Sequence, residues 1–253
     1  LGFLAAVLGF MMDLGIERLH KMRATLRELL FAAELAAGER SMSDVGWDVV
    51  RSSLWVGYSL CLVWLAIEVT AKMSPQAAGS GIPEMKSILA GSPQRSYLTF
   101  RTLVAKVVGL MLALGAGLPL GKEGPFVHIS CCIVEWLLSW GCFERLRRSK
   151  PLRLQFLAIG CAVGVSSTFG APIGGVLFSI EVTATYFYIP LYWRCFFTAV
   201  VGALVSRLLF SWYHQDAEHS IDLSSMLHAD DISTDPTQML AYVIIGLACG
   251  IMG

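Results

Sequence analysis

The chain predicts an all-α membrane protein with broken transmembrane helices. Three observations point there. Composition comes first: 55% of the 253 residues are hydrophobic, 15% are charged and the mean hydropathy is +0.63, too apolar for a domain that must cover its surface with charge. Second, charge-poor segments recur at 1–16, 52–71, 103–121, 124–142, 154–180, 191–213 and 239–253, against about 20 residues needed to cross a ~30 Å hydrocarbon layer. Third, glycine and proline interrupt these runs. Non-helical backbone is tolerated at membrane depth only where protein or a watery cavity can satisfy its N–H and C=O groups, so discontinuous helices suggest a transporter or channel.

Taken in order, "LGFLAAVLGFMM" opens the chain without a basic leader or a cleavage site, so it is not read as a secretory signal. Both ends fall in apolar runs, and a longer parent protein is expected. The segment 75–97, "PQAAGSGIPEMKSILAGSPQRSY", is too polar to face lipid and reads as a short re-entrant piece. The run 154–180 is too long for one span, and "SSTFGAPIGG" (166–175) divides it into two helices of about 12 residues, roughly 18 Å each. Basic "FERLRRSKPLR" (143–153) predicts a cytoplasmic loop and acidic 214–238 an extracellular one; the two assignments agree across the intervening helices. The stretch 18–40 is also basic, although counting crossings puts it outside. It is assigned to a long amphipathic extension of the first helix at the interface. Gly160/Gly164, Gly170/Gly174 and Gly246/Gly250 allow close helix approach without specifying a function.

Several functions have no support. Formal net charge is zero, which offers nothing to nucleic acid. The seven cysteines lie mostly in apolar runs without C-x-x-C spacing, and the five histidines show no ligand spacing, so neither a metal site nor a disulfide framework is expected. No nucleophile, base or carboxylate pair suggests catalysis. No cofactor is implied.

Two short stretches carry the chemistry. "GSGIPE" (79–84) and "GKEGP" (121–125) each set flexible glycine before a proline, which suits the first turn of a helix. A helix start offers unpaired N–H groups and the positive end of the dipole, so the natural ligand is an anion. Ser80 adds a hydroxyl donor at the first start. At the second, the Glu123 carboxylate can sit where the anion would bind, and Lys122 raises the local positive potential. Glu84 reads as an ordinary first-turn acid, whereas an ionisable group such as Glu123 in an apolar setting reads as functional. "GAGLPLGKE" is not a phosphate loop, because Ala116 and Glu123 stand where that pattern needs Gly and Ser or Thr.

"GSGIPE", "GKEGPFVH" and "GAPIGGVLFSIE" (170–181), in this order, resemble the CLC family of chloride channels and chloride/proton exchangers, with wording nearest the animal plasma-membrane channels. The resemblance implies a homodimer with a pore in each subunit. It also implies the first half of an inverted-repeat fold of tilted, broken helices over about 1–213 and the start of a second repeat at 239–253, with the acidic extracellular loop 214–238 between them. By the same resemblance Ser80, with Gly81, Ile82 and Pro83, contacts chloride, Glu123 is the gate, and Lys122, Gly124 and Pro125 complete the second helix start. Further pore contacts are expected from a second half that lies outside this sequence. Family exchangers usually carry a second acid after the position of Glu181; here Val182 stands there, which favours a passive channel. A chloride/proton exchanger and a truncated non-conducting subunit remain the alternatives. The implied partners are chloride, other small anions and membrane lipid.

Overall fold

A computed structural model describes residues 1–37, 44–92, 94, 96–183, 191–213, 247 and 249–250. Contacts group the chain into the unit Leu1–Trp212 and a separate segment, Tyr213–Gly253. The acidic loop 214–238 and most of 239–253 lie outside the described residues.

Among the described residues every regular element is helical. They are α1 (Gly2–Ala37), α2 (Asp44–Met73), α3 (Ile82–Leu89), α4 (Phe100–Gly115), α5 (Glu123–Leu138), α6 (Glu144–Arg148), α7 (Lys150–Phe169), α8 (Pro172–Phe178) and α9 (Leu191–Tyr213). A 3₁₀ turn, Pro75–Ala77, precedes α3, and α8 loosens into a π-helical turn, Ser179–Thr183, which carries Val182. α1 continues unbroken through the basic residues that follow Ile16, as its expected extension requires.

The core forms around α5 and α7. Phe126 to Val134 are buried without interruption on α5, and Leu157 to Ser166 are buried on α7. Small residues permit this contact: a Cβ added to Gly164 would fall 2.8 Å from Val127 Cα, and one on Gly160 would fall 2.9 Å from Val134 Cγ2. α5 also meets α1 and α4, with Met12, Leu110, Phe126 and Ile129 in one apolar cluster that α7 shares through Ile159 and Val163.

One expectation about spans is corrected. The break in 154–180 falls at Gly170 and Ala171, and the helix before it has 20 residues rather than about 12. α7 reaches back to Lys150, where Pro151 fits its first turn and Arg153 forms an ion pair with Glu135 at 2.8 Å. Among the described residues three helices are each long and apolar enough to cross a membrane, Val49–Met73, α7 and α9. By contrast α4 and α5 have 16 residues each, about 24 Å at helical rise. The charge-poor runs 103–121 and 124–142 therefore hold helices shorter than the roughly 20 residues of a full span, and α5 reaches that length only together with Gly141–Arg148 after a 90° bend.

Candidate functional site

The turn before α3 is set by its glycines. Gly79 has φ 78° and Gly81 φ 95°, the left-handed region in which a side chain costs about 1–2 kcal/mol. Gly81 caps α3, and Pro83 occupies the first turn, where its missing N–H costs nothing. The Lys106 ammonium, from the middle of α4, donates to the Gly79 carbonyl although Lys106 is only 4% exposed. His128 fills the space behind Gly81: a Cβ there would fall 2.7 Å from His128 Cβ. Ser80, between these two residues, is exposed to the opposite side.

The start of α5 is built differently. Its capping residue, Lys122, keeps right-handed backbone with φ −85°. The Lys122 ammonium turns towards α1 and grips both carboxylate oxygens of Asp13, at 3.0 and 3.1 Å. It does not line the cavity that faces Ser80. Its positive charge is therefore paired with a carboxylate on α1. The Glu123 carboxylate folds back over Gly121.

The two starts meet. Gly124 lies directly against the Ser80 hydroxyl, so that a Cβ at this glycine would collide with Ser80 Oγ. Ser80, Ile82, Glu123, Gly124 and Pro125 line one open cavity of about 890 Å³, and Lys106 borders it. Gly81 and Pro83 belong to the same turn without lining that space. Val182 stands apart, partly exposed on the π-helical turn. Among the described residues no three His, Cys, Asp or Glu side chains cluster as metal ligands. What the arrangement can offer chemically is a hydroxyl, a buried ammonium and two helix starts around one space, with a carboxylate beside them. Such a set attracts small anions and gives that carboxylate the same attraction.

Two of these groups escaped the sequence reading. Lys106 was signalled by its isolation in the apolar run 103–121, the same rule that singled out Glu123. Asp13 was signalled likewise within the first apolar helix, but its partner lies 109 residues away.

The family model described as voltage gated chloride channel matches residues 59–253. The chain belongs to this family. Chloride channel protein 2 of Drosophila melanogaster is 42% identical over 254 residues, covering 100% of this chain and 20% of the relative. Chloride channel protein 2 of Homo sapiens is 40% identical over 255 residues, covering 100% of this chain and 27% of the relative. The chloride channel protein of Torpedo marmorata is 44% identical over 205 residues, covering 79% and 25%. Among solved structures, a eukaryotic CLC transporter superposes with a TM-score of 0.71 at 38% identity, over 82% of this chain and 36% of that one. The chain thus spans about a quarter of the length of these curated relatives. It carries the first half of the CLC fold and is an integral membrane protein of a family of channels and transporters.

Proposed function

We propose that the chain forms part of the chloride pathway of a voltage-gated, passive channel in the plasma membrane, with a separate pore in each subunit of a homodimer. In this reading Ser80 donates its hydroxyl to the permeant ion. The starts of α3, at Gly81, Ile82 and Pro83, and of α5, at Gly124 and Pro125, turn their positive dipole ends towards it. The Glu123 carboxylate takes the anion's place and leaves when it is protonated or displaced. Lys122 acts indirectly, through a charge shared with Asp13. No cofactor is required; chloride and other small anions are the permeant species.

The observation that carries this reading is the meeting of two helix starts, distant in sequence, at one cavity, with Ser80 against Gly124 and Glu123 on the same wall. Its test is Glu123→Gln in the complete gene product: the currents should lose most of their voltage dependence and their response to external acid. Gating identical to that of the unmodified protein would refute the assignment.

A second reading, proton-coupled chloride exchange, is favoured by the likeness to a solved CLC transporter and disfavoured by Val182, whose side chain cannot carry a proton. Reconstituted vesicles separate the two. The channel reading expects a chloride gradient to drive no uphill proton movement, and measurable proton transport would decide for exchange.

A further inference from the structure

We propose that His128 is a positioning residue for the anion contact at Ser80: its ring, clamped between Tyr97 and the Gly79–Gly81 turn, sets where the Ser80 hydroxyl points. The proposal rests on the reading that Ser80 contacts the permeant ion.

His128 sits in the second turn of α5 and is 0% exposed. Its ring lies flat on that of Tyr97, with centroids 4.1 Å apart and planes 6° from parallel. Its Nε2 is 3.2 Å from the Tyr97 carbonyl. A carbonyl can only accept, so Nε2 carries a hydrogen and the ring is fixed in orientation as well as in plane. The opposite edge faces Gly81. A Cβ at that glycine would fall 2.7 Å from His128 Cβ, 3.1 Å from Cγ and 3.2 Å from Nδ1. Nδ1 itself is buried without a hydrogen-bond partner among the described residues. The imidazole therefore meets the turn as a wall.

That wall stands on the side of the turn away from the cavity. Gly81 is buried against His128, whereas Gly79, Ser80 and Ile82 line the cavity. Lys106 holds the preceding carbonyl, at Gly79. With the residues on both sides of it held in this way, the Ser80 hydroxyl lies across the gap from Gly124. Removing the imidazole leaves a void behind Gly81 into which the turn can relax, because both flanking glycines permit wide backbone changes. The hydroxyl then retreats from the position at which it meets the ion.

The experiment is a measurement of the nitrate-to-chloride permeability ratio of the complete gene product in whole-cell recordings, with surface labelling to confirm delivery. His128→Ala should shift the ratio by about two- to five-fold, the range produced by partial loss of one hydrogen bond. His128→Gln, which keeps an amide donor at similar reach, should restore it. A surface-delivered His128→Ala with an unchanged ratio overturns the proposal, and so does failure of His128→Gln to restore a shifted one. Should His128→Ala not reach the membrane, Tyr97→Leu keeps an apolar side chain but removes the flat face; a shifted ratio there supports the proposal and an unchanged one overturns it. Ser80→Ala measured alongside separates the two levels. If it shifts the ratio while the His128 and Tyr97 variants do not, only the positioning role falls. If it has no effect, the chloride reading of Ser80 falls and the inference with it.

Discussion

At Gly79–Gly81 the chain bends twice into the left-handed region and is held by a buried lysine and a buried histidine. At Gly121–Glu123 the capping backbone is ordinary, and the turn is tied down by an ion pair from Lys122 to Asp13. Both turns bring a helix start to the same cavity, and both are written with glycine before proline. Their tolerance to change should nevertheless differ in kind. Disturbing the first moves atoms that are fixed by packing, so the consequence is geometric and reaches ion selection. Disturbing the second changes charge beside a carboxylate, so the consequence is electrostatic and reaches gating.

The junction of the two turns should be the most sensitive point. Gly124→Val would drive two methyl groups into the space held by Ser80 Oγ and approached by Ile82 Cδ1, at 3.4 Å from an added Cβ. Overpacking of this kind costs about 1–3 kcal/mol. Here it also closes the gap between the helix starts, so conduction should vanish while protein still reaches the surface. Normal currents through Gly124→Val would show that the two starts do not face a shared path.

Within the first turn the two glycines make an internal control. Both have positive φ, but nothing lies within 4 Å of an added Cβ at Gly79, whereas His128 blocks Gly81. Gly79→Ala should cost about 1–2 kcal/mol from backbone strain alone. Gly81→Ala should add about 1–3 kcal/mol of overlap to a similar strain. Thermal unfolding in detergent reads the difference, and equal midpoints for the two variants would remove His128 from the account of this turn.

What the sequence made legible follows the same division. Helix starts at Ile82 and Glu123 could be read because glycine and proline act locally, within the first turn that they define. The length of α1 could be read because its helical extension needs no distant partner. The extent of α7 could not: Lys150 and Arg153 look like loop residues until Glu135, 18 positions earlier, supplies the opposite charge. Lys106 was invisible as a brace because its acceptor is a backbone carbonyl 27 residues away, which no side-chain pattern announces. Gly160 and Gly164 were visible as small residues, yet only the packed structure shows that the α5 backbone lies against them. Local stereochemistry is written in neighbouring residues; pairings across the fold are written in two places at once.

The smallest effect, and the one that best separates the two turns, is expected from Asp13→Asn. The pair that it breaks is partly exposed, at 34% for Lys122 and 23% for Asp13, so its contribution to stability is about 0.2–1 kcal/mol and folding should hardly change. The Lys122 ammonium then stands unpaired one residue from Glu123, and its field acts on a carboxylate that the voltage is proposed to move. The activation curve should therefore shift along the voltage axis. The nitrate-to-chloride permeability ratio should stay where it was, because neither Asp13 nor the Lys122 side chain lines the cavity beside Ser80. A variant that altered the ratio and left the curve in place would invert the comparison, placing ion selection at the α5 start and voltage sensing at the braced turn before α3.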